Sequence, residues 1–134
     1  MHPSLYLSEA DRLCLRSIID STSQFPRPSP AQKSALEEIL SKAITPPNTD
    51  DLWNHVGLND RVSLVSPRDS RDYFNLQIVM PAESDPDQER ISVLLPLSIG
   101  VIGRRCGETV SWEGPCGLRE MRIIAVTKFE EMAV

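Results

Sequence analysis

Residues 85–117, DPDQERISVLLPLSIGVIGRRCGETVSWEGPCG, combine strand, helix and turn signals in an order that few folds share. Three apolar residues in this segment recur at a spacing of two, namely Ile91, Val93 and Leu95. This spacing predicts a strand whose inward face they form. The next segment, 96–103, predicts a short helix, because proline suits a first helical position and Gly103 suits a helix end. We expect this helix to cover the sheet to which the strand belongs.

The predicted sheet extends to both sides of this segment. Upstream, residues 61–65 and 73–80 alternate in polarity and predict a pair of strands joined by a turn. In the second strand, one face is expected to contain Phe74, Leu76, Ile78 and Met80. Downstream, two more strands flank a turn at residues 114–117; their apolar residues are Val110 and Trp112, and Met121, Ile123 and Ala125. The pattern predicts an α+β fold, with an antiparallel sheet and one covering helix.

Upstream of the sheet, the chain predicts two short helices. Ser8 is suited to cap the first, an apolar stripe runs along it, and the helix is expected to end near Ser23. The proline-rich residues 25–30 cannot continue it, because each proline lacks a backbone N–H. Ser29 and Gln32 then form a capping-box pattern at the start of the second helix. Two helices joined by so short a turn predict an antiparallel hairpin.

The chain is therefore expected to have two parts. The helical hairpin is predicted to span residues 1–47 and the sheet domain residues 48–134, with a proline-rich break between them. Trp53 and His55 lie near this junction, where they either pack the hairpin against the sheet or contact a partner. The sequence leaves open whether the hairpin folds back on the sheet or projects from it. It also leaves the oligomeric state open.

The composition excludes several classes of protein. A chain of 134 residues with 40% hydrophobic content fits one small domain with an appendage and not a multidomain enzyme. The net charge of −5 disfavours direct DNA binding, because phosphates are neutralised by clustered Lys and Arg. No apolar run reaches the roughly 20 residues that a membrane helix needs, so no membrane contact is expected. These observations predict a cytoplasmic protein that acts through a protein partner.

The cysteines and histidines predict no cofactor and no metal site. The three cysteines do not occur in a C-x-x-C spacing, and the two histidines form no zinc-ligand pattern with them. Nothing in the sequence directs His55 toward a thiol, as a Cys–His nucleophile would require. The residues in question are Cys14, Cys106, Cys116, His2 and His55.

An ordered set of short motifs within residues 85–117 resembles the C-terminal domain of the GreA/GreB transcript-cleavage factors. The residues that carry the resemblance are Asp85-Pro86, Ile91-Ser92, Pro96-Leu97, Gly103, Gly107-Glu108, Val110 and Pro115-Cys116-Gly117. The chain as a whole resembles short relatives within this group, the regulators of nucleoside diphosphate kinase (Rnk). The resemblance covers about residues 58–127 and implies an FKBP-like α+β fold. It also implies a regulator of transcription elongation that binds RNA polymerase at the rim of its secondary channel.

The resemblance implies that the segment leading into Pro96 contributes to docking on the polymerase. We therefore take Leu94, Leu95, Pro96 and Leu97 as candidate partner-binding residues. Leu94 either faces outward as an apolar anchor or packs in the core. Arg104 and Arg105 follow the short helix, where they either pair with acidic groups of a partner or remain solvated.

The hairpin bears on whether the chain cleaves transcripts. Cleavage factors present acidic residues at the tip of a long coiled coil, where they help to hold a Mg²⁺ ion that activates water. Such an ion requires several oxygen ligands, yet residues 21–29 contain no Asp or Glu. Asp20 lies alone, about one turn before the tip, where it either approaches the polymerase channel or interacts with the positive end of the second helix. We therefore predict no catalytic residues and no enzymatic activity.

Two alternatives follow from the same resemblance. The fold is shared with FKBP-type prolyl isomerases, which need an aromatic-lined pocket; the candidates to line one are Tyr73, Phe74 and Trp112. An influence on nucleoside diphosphate kinase levels is a second alternative, as an indirect result of altered transcription. The chain contains no G-x-x-x-x-G-K-[ST] phosphate-binding loop of its own.

Overall fold

The structure is a computed structural model, and it describes residues 5–20, 28–114 and 117–129. Its helices are α1 (Glu9–Asp20), α2 (Pro30–Lys42) and α3 (Pro96–Val101), and its strands are β1 (Arg61–Val65), β2 (Tyr73–Val79), β3 (Arg90–Ser92), β4 (Thr109–Gly114) and β5 (Gly117–Thr127). Short 3₁₀ turns occur at Thr49–Leu52, Pro81–Glu83 and Pro86–Gln88. Within these ranges, no helix combines the length and apolarity needed to cross a membrane. The predicted α+β fold class is confirmed.

The first two helices form the predicted antiparallel hairpin. Arg12, near the start of α1, donates to the carbonyl oxygens of Leu40 and Ala43 at 3.3 and 3.0 Å, near the end of α2. The capping box of α2 is present: the Ser29 hydroxyl accepts the Gln32 N–H at 3.1 Å, and Gln32 Oε1 accepts the Ser29 N–H at 2.7 Å. The predicted end of the first helix near Ser23 lies outside the described residues.

The five strands form one sheet in the order β3-β2-β1-β5-β4. All neighbours are antiparallel except β2 and β3, which are parallel, with Ile78 opposite Ile91. The sheet is therefore mixed, and the prediction of antiparallel pairing is wrong for this pair. Residues 80–89, which connect the two strands, form two 3₁₀ turns in place of a tight hairpin. As a result, β3 runs in the same direction as β2. Alternating polarity does not encode strand direction, which is why the sequence missed this pairing.

A single hydrophobic core lies between one face of the sheet and the helices. The sheet contributes Val62, Leu64, Leu76, Ile78, Met121 and Ile123, and the hairpin contributes Leu15, Ile18, Ile19, Leu36, Ile39 and Leu40. Helix α3 adds Val101 to the same core, and Gly103 follows it with a φ of +79°, which a glycine adopts without strain. The short helix thus covers the sheet as predicted.

The hairpin lies against the sheet domain at both of its ends, which answers the question that the sequence left open. At the base, Tyr6 N–H donates to Gly103 O of the sheet domain at 3.0 Å, beside the bond within the hairpin part from Leu7 N–H to Ile44 O at 3.1 Å. At the tip end, Gln32 Nε2 donates to Leu94 O at 3.1 Å. The predicted division at residues 47 and 48 remains a prediction, and the core is continuous across it.

Candidate partner-binding site

The segment that leads into Pro96 leaves the sheet through a tight turn. Ser92 ends β3, its side-chain oxygen accepts the Leu94 N–H at 3.1 Å, and its carbonyl oxygen accepts the Leu95 N–H at 3.2 Å. The turn interrupts the alternation of the strand, so Leu94 enters the core at 4% exposure and Leu95 is 44% exposed. The expectation of Leu95 as an inward residue is therefore wrong, and of the two alternatives for Leu94 the structure shows packing in the core. Leu95 occupies the outward position instead.

Helix α3 begins directly after Leu95, which precedes it in an extended conformation. Pro96 occupies the first helical position and is exposed, whereas Leu97 is half-buried against the core. Ser98 is buried and donates its hydroxyl to Ser92 O at 2.7 Å, so the turn and the helix start are tied together. Leu95 and Pro96 thus form a small apolar surface on a rigid support.

The two arginines lie beyond the opposite end of α3. The six residues of the helix, about 9 Å along its axis, and the two residues that follow it lie between Leu95 and the arginines. Arg104 Nη1 lies 3.6 Å from Glu108 Oε1, while the exposed Arg105 donates its backbone N–H to Glu108 Oε2 at 2.6 Å. Arg104 is therefore partly neutralised within the chain, and Arg105 presents its charge to solvent.

Asp20 is exposed at the described end of α1. The antiparallel hairpin places this end beside the start of α2, where Gln32 contacts Leu94. Asp20, Leu95 and Pro96 consequently belong to the tip end of the molecule. The arginine pair belongs to the base, where His55 and Arg105 form an isolated β-bridge.

A buried ion pair near the base was not apparent in the sequence. Asp60 is only 3% exposed and accepts hydrogen bonds from Gly57 N at 2.7 Å, Phe129 N at 2.8 Å and Lys128 Nζ at 2.5 Å. Lys128 also donates to His55 O at 2.9 Å. Because Asp60 and Lys128 are 68 positions apart, no local pattern could have predicted their pairing.

Asp11 of α1 joins the same region. Its Oδ2 accepts the Leu58 N–H at 3.2 Å, and burial raises the pKa of its carboxyl, although the Leu58 bond opposes this shift. Gly57 lies between the two carboxylates: a Cβ at this position would lie 2.6 Å from Asp11 Oδ2 and 3.0 Å from Asp60 Oδ2. Only a glycine leaves room for both side chains.

Trp53 and His55 differ in their surroundings. His55 is buried and stacks on Tyr6 with 4.5 Å between ring centroids, so it joins the sheet domain to the segment before α1. Burial lowers the pKa of His55, which favours the neutral imidazole. Trp53 is 56% exposed, so the packing role expected of the two residues belongs to His55.

The aromatic candidates for a prolyl isomerase pocket do not converge. Tyr73 and Phe74 are neighbours in β2 and therefore point to opposite faces of the sheet. Trp112 lies in β4, on the far side of β1 and β5. Across the described ranges, no group of three His, Cys, Asp or Glu side chains is arranged to hold a metal ion.

Comparison with known protein families identifies the sheet domain. Residues 51–128 match the model of the family described as "Transcription elongation factor, GreA/GreB, C-term". The chain belongs to the GreA/GreB family. The match includes every strand, Leu94 through Leu97 and both arginines, whereas Asp20 and the hairpin lie before it.

Over the aligned segment, curated relatives of the chain are about one third identical to it. The transcription inhibitor protein Gfh1 of Thermus thermophilus is 32% identical over 98 residues, which make up 72% of the chain and 61% of that protein. The transcription elongation factor GreA of Acidiphilium cryptum is 37% identical over 92 residues, 68% of the chain and 57% of that factor. The chain thus spans about three fifths of the length of these relatives.

Solved structures extend the likeness to the hairpin. A GreA/GreB elongation factor from Nitrosomonas europaea superposes with a TM-score of 0.74 at 26% identity, covering 95% of this chain and all of that one. Gfh1 of Thermus thermophilus gives a TM-score of 0.50 at 22% identity, over 94% of this chain and all of that one. The second likeness concerns the fold alone.

Proposed function

We propose that this chain is a transcription regulator that binds RNA polymerase and does not cleave transcripts. The observation that carries the proposal is a GreA/GreB sheet domain joined to a short hairpin whose tip sequence lacks carboxylates. Relatives of the chain bear the names transcription inhibitor and transcription elongation factor, which supports a role in transcription.

The proposed docking surface is Leu95 with Pro96, at the rim of the polymerase secondary channel. An exposed leucine followed by a conformationally fixed proline offers an apolar contact that loses little entropy on binding. Leu94 supports this surface from the core, and Leu97 anchors the helix behind it. Arg104 and Arg105 form a second, cationic contact beyond the other end of α3, a helix about 9 Å long.

Two features of the hairpin disfavour transcript cleavage: its tip sequence and its length. Residues 21–29 contain no Asp or Glu, and Asp20 alone is a poor ligand for a hydrated divalent cation. The described helices have 12 and 13 residues, so they extend only about 18 and 20 Å. A hairpin of this length, held to the domain by Gln32, would occupy the mouth of the channel and compete with longer factors.

Competition for purified RNA polymerase tests the binding. We expect the chain to displace a fluorescent cleavage factor from the polymerase, and Leu95→Ala to weaken displacement about tenfold, as for a central interface residue. Leu118→Ala is the matched control, because Leu118 is 71% exposed but lies on β5, in another part of the sheet. No displacement at saturating protein would refute polymerase binding at this site.

Backtracked elongation complexes test the absence of cleavage. The chain is expected to add no RNA cleavage above the polymerase's intrinsic rate, with a cleavage factor as the positive control. Cleavage comparable to that factor would contradict the non-catalytic assignment without affecting the docking proposal.

A further inference from the structure

A cavity of about 520 Å³ lies between the start of α1, residues 50–60 and the end of β5. Its volume is in the range of sites that bind small molecules or single side chains. The side chains that matter for its chemistry are Tyr6, Asp11, Trp53, His55, Lys128 and Phe129. The cavity lies at the base of the hairpin, away from the Leu95–Pro96 surface at the tip end.

The charge of the cavity wall is negative. Three carboxylates line it, those of Asp11, Asp50 and Asp60, against the single ammonium group of Lys128. Asp60 and Lys128 neutralise each other, and two backbone N–H groups also donate to Asp60. Asp11 and the exposed Asp50 therefore remain as net negative charge, which disfavours phosphates and other anions.

The rest of the wall is suited to an organic cation. Trp53 and Phe129 are 56% and 52% exposed, and aromatic faces attract ammonium and guanidinium groups. His55 lines the same cavity at 7% exposure, and Tyr6 stacks on its ring.

We propose that this cavity binds a primary ammonium or guanidinium group carried on a short carbon chain. The charged group is held by Asp11, and the carbon chain lies against Trp53 and Phe129. The same chemistry is offered by a free small amine and by a Lys or Arg side chain of a protein partner. A ligand here would contact α1, the 50–60 segment and the end of β5 together, and so strengthen the attachment of the hairpin base.

Titration of the full chain with agmatine, followed by ¹H–¹⁵N NMR, tests the proposal. We expect saturable shifts of the Leu58 amide, which donates to Asp11, and of the Trp53 indole N–H. Butyramide and butyrate, which are neutral and anionic, are expected to leave both signals unchanged. Asp11→Asn should weaken agmatine binding about tenfold and Trp53→Ala about fivefold, in line with loss of a partly buried charge and of a cation–π contact.

Asp87→Asn is the matched control, since it removes an exposed carboxylate that does not line the cavity and is expected to leave agmatine binding unchanged. Trp53→Ala changes an exposed side chain, so it keeps the test valid if Asp11→Asn fails to fold. N-acetyl-arginine amide distinguishes the two sources of the ligand. If it binds more tightly than agmatine, the ligand is a side chain of a protein partner; if it binds more weakly, the ligand is a free amine. No saturable shift, equal binding of butyramide, or unchanged affinity in both cavity variants would overturn the proposal. The assay contains no RNA polymerase, so its outcome is independent of the proposed docking.

Discussion

Replacement of Gln32 should loosen both the second helix and its attachment to the segment before Pro96. The side chain makes two different hydrogen bonds: Oε1 accepts the Ser29 N–H within the capping box, and Nε2 donates to Leu94 O. Gln32→Glu separates the two, because a carboxylate still accepts from Ser29 but cannot donate to a carbonyl. Gln32→Ala removes both bonds.

The magnitudes follow from these two bonds. A net intramolecular hydrogen bond stabilises a protein by about 0.5–1.5 kcal/mol, so Gln32→Ala should lower the free energy of unfolding by about 1–3 kcal/mol. Gln32→Glu loses the Leu94 bond but gains about 0.3–1 kcal/mol from its charge near the helix start, so its net loss should be no more than about 1 kcal/mol. Ser29→Ala removes the hydroxyl that accepts the Gln32 N–H in the capping box but leaves the Leu94 bond in place. It should lower the free energy of unfolding by about 1 kcal/mol.

Urea unfolding of the four proteins gives the global effect, and native-state hydrogen exchange gives the local one. We expect the amides of the first turn of α2 to exchange faster in all three variants. The tip-end attachment should weaken in Gln32→Ala and Gln32→Glu alone, which would appear as faster exchange at Leu95. If Gln32→Glu and the wild type show the same exchange there, the Leu94 bond does not hold the hairpin, and the reasoning about its attachment is refuted.

Three further changes address the core and the base. Gly57→Ala should destabilise the fold by about 1–3 kcal/mol by crowding the carboxylates of Asp11 and Asp60, and an unchanged melting temperature would contradict this. Burial raises the pKa of Asp11 above its ordinary 3.8, so the Asp11 carboxyl binds its proton more tightly in the folded state. The contribution of Asp11 to stability should therefore fall as pH rises from the unfolded pKa through the folded one. In urea unfolding, the free energy of unfolding of Asp11→Asn should therefore rise relative to that of the wild type as pH increases. If the difference between the two free energies does not change with pH, the raised pKa of Asp11 is disproved. Leu94→Ala should lower the free energy of unfolding by about 2–5 kcal/mol and Leu95→Ala by less than about 1 kcal/mol, so equal losses would contradict their opposite orientations.

The sequence predicted the elements whose signals are local. The capping box at Ser29 and Gln32 requires only residues three positions apart, and the structure contains both of its bonds. The strands at 61–65 and 73–79 follow from alternating polarity, and the helix at 96–101 from a proline at its start and a glycine after its end. In each case the deciding interactions lie within one turn or one strand.

The sequence did not predict features that depend on tertiary geometry. Leu94 and Leu95 are chemically identical neighbours, and only the turn at Ser92 decides which of them is buried. The pairing of Asp60 with Lys128 requires the end of β5 to reach the start of β1, which no spacing in the sequence reveals. The sequence therefore singled out this segment but did not settle its side-chain orientations: it placed Leu95 inward, which is wrong, and left Leu94 open.

The position of β5 in the sheet has a consequence for biosynthesis. This strand is the fifth in sequence, yet it lies between β1 and β4, and β4 pairs with no other strand in the described part of the chain. A nascent chain can form the hairpin and the β1–β2 pair early, but the sheet stays open until residue 127 has left the ribosome. Lys128 then supplies the counter-charge for Asp60. The native core is thus completed only after β5 has been synthesised, and the apolar faces of β1 and β4 remain accessible to chaperones and proteases until that moment.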